Sequence, residues 1–406
     1  MTKLGLNDLP DSALRDKRVL VRVDYNVPIQ DGRVGDDTRI RATLPTLTYL
    51  GDRGARTILL SHLGRPKGEW KSEYSLRPVA ERLGQLLQGR TVHFVSDIIG
   101  PNAHAAIDSL GAGEFLLLEN VRFLAGEETN DGKLSEALAG FADVYVNDAF
   151  GTAHRAHAST CGVAEVARAD AKPAVAGFLM AKELRFLGTA LADPDRPFVA
   201  ILGGAKITGK IDVIEALLPN VDRLLIGGAM ANTFFRGLGL ETGRSLVEED
   251  RVDMARELLE RAGAKLFLPV DGVVAEEAEA DATTRVVARD AVPRDLKILD
   301  IGDKTIAVFG GLIDAARTVL WNGPMGLFEV SPFAEGTRAI GRRVAAATDR
   351  GATTIAGGGD TVAALEAAGL TDRLTHVSTG GGASLQFIEG RPLPGVAILD
   401  DAPSTP

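Results

Sequence analysis

Short runs of apolar, often β-branched residues alternate along the chain with segments in which apolar residues recur every three or four positions. The first pattern is typical of buried strands and the second of amphipathic helices. Their alternation predicts a parallel α/β architecture. The predicted strands are residues 19–23, 57–60, 92–95, 115–118 and 144–146 in the first half, and 198–202, 223–226, 265–268, 318–321, 353–356 and 375–377 in the second.

Helix signals fill the intervals and divide the chain in two. Segments 76–87 and 248–262 each carry one apolar face, and a glycine follows each of them as a stop signal. A helical segment near 177–191, followed by the turn-forming DPDRP, predicts a hinge helix between two Rossmann-like lobes with mainly parallel sheets. The expected divisions are a first domain (1–174), the interdomain helix (175–192), a second domain (193–385) and an extended tail (386–406).

Composition excludes several functional classes. The 406 residues carry a net charge of −10, which disfavours a partner such as nucleic acid or an anionic membrane. The single Cys161 excludes an internal disulfide and suits a reducing compartment. The polar N-terminus is unlike a secretory signal, and no apolar run has the length of a membrane span. We therefore expect a cytoplasmic protein.

The loop after the predicted strand 198–202 nearly matches a P-loop. Gly204, Gly209 and Lys210 satisfy the pattern, but Ile211 stands where a hydroxyl would hold Mg²⁺. Lys206 precedes Lys210 by one helical turn, so we expect both ammonium groups on one side of such a turn. The loop therefore indicates phosphate binding, with the metal ligand supplied from elsewhere in the chain.

A second glycine-rich loop, GGGD at 357–360, offers that ligand. Asp360 directly precedes a helix-compatible run, so one reading is a plain N-cap. The other reading is a Mg²⁺ carboxylate, because Mg²⁺ on phosphates usually takes one or two carboxylates. A glycine pair after a strand can also be only a tight turn, but its recurrence in this half favours a nucleotide site.

Polar side chains follow the predicted strands of the first half. One arginine on a loop is usually a solvated surface charge, and Asn26 before Val27-Pro28 suits a simple turn. Several arginines at strand ends instead suit a ligand that bears both phosphate and carboxylate. His154 and His157 lack the partner spacing of a metal site. The candidates are Asp24, Asn26, Arg39, His62, Arg65, Arg122, His154 and Arg155.

The sequence lacks a Gly-x-Ser-x-Gly elbow, a His-Arg-Asp catalytic loop and a Cys–His pair around Cys161. Phosphoryl transfer between a nucleotide and a carboxylate needs none of these. A carboxylate is already ionised at neutral pH and requires no general base. Catalysis would then consist of positioning the groups and neutralising charge on the transferring phosphoryl group.

Long motifs in both halves occur in one consistent order. The first half contains RVLVRVDYNVP (18–28), DDTRIRATLPTL (36–47), SHLGRP (61–66), ENVRF (119–123) and VNDAFGTAHRAHAS (146–159). The second half contains GFLMAKEL (177–184), GGAKITGKI (203–211), WNGPMGLFE (321–329), GGGDT (357–361) and STGGGASL (378–385). Together they resemble the phosphoglycerate kinase family along nearly the whole chain.

The resemblance implies two lobes, a hinge, and a C-terminal tail that returns to the first lobe. It implies an acid-substrate site for 3-phosphoglycerate or its acyl phosphate at Asp24, Asn26, Arg39, His62, Leu63, Gly64, Arg65, Arg122 and Arg155. It implies an ATP/ADP site at Gly204, Lys206, Lys210, Gly228, Asn322, Pro324, Glu329, Gly358, Gly359, Asp360 and Thr361. The implied catalytic residues are Arg39, Lys206 and Gly359, and Asp360 is the implied Mg²⁺ ligand.

The resemblance also implies a hinge-bending monomer acting in glycolysis and gluconeogenesis on small molecules. The chain departs from the family pattern at Tyr25 and, beside the expected adenine pocket, at Ile298 and Asp303. Two alternatives remain: a kinase that forms an acyl phosphate on a different carboxylate, and a nucleotide-dependent binding protein without turnover. Retention of both the arginine set and the lysine and aspartate set argues against the second alternative.

Overall fold

The computed structural model describes residues 3–403. The chain forms two compact units, one made of Met1–Arg185 with Pro392–Pro406 and the other of Phe186–Arg391. Each unit contains a six-stranded sheet whose strands all run parallel. The predicted α/β class with mainly parallel sheets is confirmed.

The large sheet of the first unit has the strand order β5-β6-β4-β1-β7-β8, and β2 and β3 form a separate antiparallel hairpin. The strands are β1 (Arg18–Val23), β2 (Ile29–Gln30), β3 (Arg33–Val34), β4 (Arg56–Leu60), β5 (Val92–Val95), β6 (Phe115–Leu118), β7 (Val144–Asp148) and β8 (Ala174–Ala176). The helices are α1 (Thr38–Asp52), α2 (Arg77–Leu86), α3 (Pro101–Asp108), α4 (Gly132–Ala139), α5 (Val163–Ala169) and α6 (Phe178–Ala192), of which α6 continues into the second unit.

Strand β1 lies inside this sheet, between β4 and β7. Val19, Leu20 and Val21 are completely buried, as in a parallel strand covered on both faces. Arg22 is equally inaccessible, with 1% of its surface exposed. Because β1, β4, β6 and β7 run in the same direction, the loops that follow them leave from one edge of the sheet.

The large sheet of the second unit has the order β11-β10-β9-β15-β16-β17, and β13-β12-β14 form a smaller antiparallel sheet. The strands are β9 (Phe198–Leu202), β10 (Arg223–Ile226), β11 (Leu266–Phe267), β12 (Asp271–Ala275), β13 (Arg285–Ala288), β14 (Lys297–Ile301), β15 (Thr318–Asn322), β16 (Thr353–Gly357) and β17 (His376–Val377). The helices are α7 (Ile211–Leu217), α8 (Met230–Gly237), α9 (Val252–Ala262), α10 (Asp303–Asp314), α11 (Glu335–Asp349), α12 (Gly359–Ala367) and α13 (Gly382–Ile388).

The C-terminal segment completes the edge of the first unit beside β8. Leu4 N donates to Asp400 O at 2.8 Å, and Asp400 N donates to Ala174 O at 2.8 Å. The prediction of an extended tail is wrong for α14 (Pro394–Ala397), a short helix. Proline suits the first turn of a helix because the N–H it lacks has no intrahelical partner there.

Every strand predicted from an apolar run is present, with small differences at the ends. Helices α2 and α9 confirm the two amphipathic predictions, and α9 ends at Ala262 with Gly263 as its C-cap, whose φ of 50° suits a glycine. The sequence analysis missed β8, the β2–β3 hairpin and the antiparallel sheet. Strands β13 and β14 carry exposed or polar positions, which interrupt the apolar runs that mark a buried strand.

Between residues 3 and 403, no helix has both the length and the apolar character required to cross a bilayer.

Candidate active site

In the first unit, polar groups at the ends of β1 and β4 are joined by hydrogen bonds. Arg39 Nη1 donates to Asp24 Oδ2 at 3.1 Å and to Asn26 O at 3.3 Å. Gly64 N donates to Asn26 Oδ1 at 2.9 Å. The structure therefore brings together these candidates from separate loops.

The start of α1 places Arg39. Asp36 Oδ1 accepts hydrogen bonds from the N and Oγ1 of Thr38, at 2.8 and 2.7 Å, and α1 begins at Thr38. Such a local aspartate contact satisfies backbone donors at a helix start. Arg39 lies in the first turn with its side chain 37% exposed, so its guanidinium is accessible to a ligand.

His62 lies among positive charges at the end of β4. The imidazole is buried, and this burial lowers its pKa well below the ordinary value. Cations nearby lower the pKa further, in decreasing order Arg22, Arg122, Arg155 and Arg39. A neutral ring surrounded by guanidinium groups indicates a site prepared for an anion.

His157 lies among the same positive charges. Burial lowers its pKa to about 4, followed by the effects of Arg122, Arg22 and Arg155. Arg122 is fixed in place, since its Nη1 donates to the carbonyl of Gly64 at 2.7 Å. A bound anion would relieve the repulsion among these groups.

The remaining candidates of the first unit differ from one another in burial and in their contacts. Leu63 has a buried side chain and an occupied carbonyl, which accepts from Asn120 Nδ2 at 2.7 Å. Arg155 Nε contacts His154 Nε2 at 3.1 Å. Arg65 is exposed and is not among the cations that lower the pKa of His62. The sequence analysis missed Arg22. The signal that could have found it is a charged residue inside an otherwise apolar strand.

In the second unit, the loop between β9 and α7 contains Lys206 and Lys210. The expectation that both lysines share a helical turn is wrong, because α7 begins only at Ile211 and Lys210 is its N-cap. Glu248 holds the loop instead: its carboxylate accepts from the N of Ile207 and from Thr208 Oγ1, the latter at 2.6 Å. The sequence analysis missed Glu248, which is remote from the loop in the chain.

Lys210 and Asn322 connect two loops of the candidate nucleotide site. Lys210 Nζ donates to Asn322 Oδ1. Burial lowers the pKa of Lys210 to about 8, while Asp360 and Glu389 act in the opposite direction. Asn322 Nδ2 is buried and has no hydrogen-bond partner among residues 3–403. Such an orphaned donor is suited to a phosphate oxygen.

A cavity of about 450 Å³ opens beside these loops. Most of its lining is apolar, with a few charged side chains such as Asp300 and Glu329, as in pockets for small ligands. Ile298 lines the cavity, whereas Asp303 begins α10. Other lining residues are Gly204, Gly228, Asn232, Leu246, Pro324 and Glu329.

Two glycines at the site adopt backbone conformations with positive φ. Gly228 has φ +69°, and a Cβ there would lie 2.6 Å from both N and O of Gly204. Gly358 has φ +94° and is the N-cap of α12. Both conformations are strained for residues with a side chain.

Helix α12 presents the GGGDT motif. The interpretation of Asp360 as the N-cap is wrong, because the helix begins one residue earlier, at Gly359. Asp360 instead lies in the first turn, where it is exposed. Gly359 is also exposed, next to the positive end of the helix dipole. Thr361 is buried, and its Oγ1 accepts from Gly323 N at 2.6 Å, which fixes the loop after β15.

Asp300, at the wall of the cavity, was also missed. Its Oδ2 accepts from Gly336 N at 2.6 Å and its Oδ1 from Ile301 N at 2.8 Å. Burial raises its pKa to about 7, against the lowering effect of these hydrogen bonds. A Cβ on Gly326 would lie 2.2 Å from Asp300 Oδ1, so this carboxyl packs directly on the loop after β15.

A family model described as phosphoglycerate kinase matches residues 9–391, nearly the whole chain. The chain belongs to the phosphoglycerate kinase family. It is 57% identical over 404 residues to the phosphoglycerate kinase of Moorella thermoacetica, and the alignment covers 99% of this chain and 100% of that protein. It is 58% identical over 391 residues to the phosphoglycerate kinase of Chloroflexus aurantiacus, covering 95% and 96%.

Solved structures of the same family are similar throughout. The phosphoglycerate kinase of Coxiella burnetii superposes with a TM-score of 0.87 at 42% identity, covering 98% of both chains. That of Pyrococcus horikoshii gives 0.84 at 34% identity, again covering 98% of both. Membership of the phosphoglycerate kinase family makes this chain a phosphotransferase of glycolysis with a carboxyl group as acceptor and with ATP and ADP as co-substrates.

Proposed function

We propose that this protein catalyses reversible, Mg²⁺-dependent phosphoryl transfer from 1,3-bisphosphoglycerate to ADP, giving 3-phosphoglycerate and ATP. The observation that carries the proposal is the cluster of Arg39, Arg122 and Arg155 around the buried His62. Guanidinium groups bind phosphate and carboxylate bidentately, and 3-phosphoglycerate bears both groups. Family membership supports this acid as the substrate.

The acid would be held by the first unit. Arg122 and Arg155 supply positive charge, and Asp24 and Asn26 can bond its hydroxyl group. Arg39 would also contact the phosphoryl group during transfer, because its exposed guanidinium is only partly occupied by Asp24. The proposed set further includes His62, Arg65 and the backbone of Leu63 and Gly64.

The nucleotide would be held by the second unit. Gly204, Gly228 and Pro324, which line the cavity, would contact the adenosine, and Glu329, which lines the same cavity, would bind the ribose. Lys210 and Asn322 Nδ2 would bind phosphates, together with Gly358, Gly359 and Thr361 at the start of α12. Lys206, which is exposed, would follow the transferring group.

Asp360 fits a Mg²⁺ ion carried by the nucleotide. It is an exposed carboxylate close enough to Lys210 to oppose the lowering of that lysine's pKa by burial, so it lies beside the proposed phosphate positions. Residues 3–403 contain no cluster of three His, Cys, Asp or Glu side chains able to hold a metal, so most ligands would be phosphate oxygens and water. Bound Mg²⁺ would neutralise charge on the phosphates.

The transfer itself requires no acid or base. A terminal oxygen of ADP attacks the phosphorus of the acyl phosphate, and the bond from that phosphorus to the carboxylate oxygen breaks. The leaving carboxylate is stable without a proton at neutral pH. Arg39 and Lys206 would stabilise the charge on the phosphoryl group between donor and acceptor.

We further propose that hinge bending at 175–192 brings the two ligand sets together, between a first domain of 1–174 and a second of 193–385, with the tail 386–406 packed on the first. Exclusion of water would protect ATP from hydrolysis. The protein would act as a cytoplasmic monomer in glycolysis and gluconeogenesis, without nucleic-acid or membrane partners.

A panel of carboxylic acids supplied with Mg·ATP tests the proposed substrate. We expect 3-phosphoglycerate to give the highest kcat/KM, because an acid without the phosphate loses the contacts to the arginine cluster. Glycerate, which has the same carboxyl and hydroxyl groups, is the matched control. Preference for a different acid would identify another acyl-phosphate-forming kinase.

A further inference from the structure

Arg22 is a buried cation without a direct carboxylate partner among residues 3–403. Its Nε donates to Ser159 Oγ at 2.8 Å, and its Nη1 donates to the carbonyl of Val23. Its Nη2 lies 3.2 Å from Nδ1 of His62. Each of its three nitrogens therefore meets a neutral partner, and one of them is a residue of the proposed acid site.

The contact with His62 determines where the imidazole carries its proton. A guanidinium group can only donate hydrogen bonds, so Nδ1 must be the acceptor. The proton of the neutral ring then resides on Nε2. The competing arrangement would have Nδ1–H donate to Asp24, but Asp24 Oδ1 is 3.8 Å away, beyond hydrogen-bond distance.

The position of Arg22 is fixed from its other side. Ser159 Oγ, which accepts from Arg22, donates to Glu127 Oε1 at 2.6 Å. Ser159 N donates to Glu127 Oε2 at 2.9 Å, and Glu127 is completely buried. The carboxylate thus orients the serine, and the serine orients the guanidinium.

We propose that Arg22 is a positioning residue that holds His62 in the Nε2–H tautomer, so that His62 offers the acid substrate a hydrogen-bond donor. The part that concerns the substrate rests on the proposed function. Phosphate and carboxylate oxygens accept hydrogen bonds, and the opposite tautomer would present them with a lone pair. Since burial and the surrounding cations keep the pKa of His62 low, the ring contributes a neutral donor and the arginines contribute the charge.

Nitrogen-15 NMR of the full-length, unliganded protein tests the tautomer directly. The chain has 6 histidines, and the His62→Gln variant identifies the signals of His62 by their loss. At neutral pH we expect an unprotonated shift for Nδ1 and a protonated shift for Nε2. A protonated Nδ1, in either the other tautomer or the imidazolium, overturns the proposal, and this measurement requires no variant of Arg22.

Kinetics of Arg22→Met then test the effect on the substrate. We expect the KM for 3-phosphoglycerate to rise about tenfold, the cost of one lost hydrogen bond to a charged group, with little change in the KM for ATP. Arg18→Met is the matched control, because Arg18 lies in the same strand and pairs with Asp108. An unchanged KM for 3-phosphoglycerate in a folded Arg22→Met protein contradicts the proposal.

A double-mutant cycle separates this role from a direct contact with substrate. If Arg22 acts through His62, Arg22→Met adds little to the KM change of His62→Gln. Additive effects mean that Arg22 acts on substrate independently and overturn the positioning role. A protein with the Nε2–H tautomer but no turnover of 3-phosphoglycerate instead contradicts the proposed function, so the two failures are distinguishable.

Discussion

The ammonium group of Lys210 donates a hydrogen bond to Oδ1 of Asn322, a residue 112 positions later in the chain. The contact joins the start of α7 to the end of β15 and leaves the buried Nδ2 of Asn322 without a partner in the described part of the chain. Two donors, Nζ and Nδ2, are therefore held close together. This arrangement is suited to phosphate oxygens.

Replacement of Asn322 by alanine should weaken nucleotide binding selectively. The variant loses both the donor Nδ2 and the acceptor that orients Lys210. Hydrogen bonds to charged groups contribute about 1.5–3 kcal/mol, so the KM for ATP should rise roughly 10- to 100-fold. Steady-state kinetics with each substrate varied in turn measure the change. Asn220→Ala, in the exposed turn after α7, serves as control, and an unaltered KM for ATP in Asn322→Ala would contradict this role.

Arg39→Ala and Lys206→Ala should each lower kcat by roughly 100-fold or more, because each removes positive charge from the transferring phosphoryl group. Both side chains are at least partly exposed, so the fold should survive, as circular dichroism can verify. Arg41→Ala is the matched control on the same helix, where the guanidinium pairs with Asp37. Near-normal turnover in either variant would remove that residue from the mechanism.

Removal of Mg²⁺ by EDTA should abolish turnover, and restoring the ion should recover it. Asp360→Asn should raise the Mg²⁺ concentration for half-maximal activity by about tenfold, because one carboxylate ligand is lost while phosphate and water ligands remain. Titration of activity with Mg²⁺ at fixed ATP measures this shift. Asp372→Asn is an appropriate control. Identical Mg²⁺ curves for Asp360→Asn and the unaltered protein would exclude Asp360 as a ligand.

Asp300 should make the stability of the second unit depend on pH. Burial raises the pKa of this carboxyl from 3.8 to about 7 in the folded state. The folded state therefore binds the proton more tightly, and stability is greatest below the ordinary pKa, declines as pH rises, and levels off above about 7. Relative to Asp300→Asn, the free energy of unfolding should fall by up to about 4 kcal/mol across this range.

Urea unfolding monitored by Trp321 fluorescence measures this slope. Trp321 is 1% exposed in the core of the second unit, and a Trp70→Phe background removes the other tryptophan. Asp303→Asn, at an exposed position in the next helix, should keep the slope of the unaltered protein. Parallel curves for Asp300→Asn and the unaltered protein would show that the Asp300 carboxyl does not titrate in this way.

The sequence was sufficient for the parallel strands of the two large sheets other than β8, and for the loops that follow them, because each of these buried strands appears as an apolar run. Once the strands are known, polar residues that follow them must lie at one edge of a sheet, as Asp24 and Arg122 do. The antiparallel sheet was not found, because strands with exposed or polar positions, such as 285–288, lack that run.

The missed residues all act through contacts that span long stretches of chain. Glu248 binds the loop at Ile207, Asp300 binds Gly336, and Arg22 reaches His62. No local pattern encodes such pairs. The helical-turn expectation for Lys210 was wrong for a related reason, since Glu248 holds the preceding residues in a non-helical loop.

The most direct test of the central claim is ADP formation from Mg·ATP by the purified protein, with and without 3-phosphoglycerate and with hydroxylamine present to trap an acyl phosphate. The account predicts that ADP forms only when 3-phosphoglycerate is added, with an equal amount of hydroxamate, and that Arg39→Ala and Lys206→Ala nearly abolish both products. ADP formation without the acid, or a failure of 3-phosphoglycerate to support it, would contradict the proposed reaction.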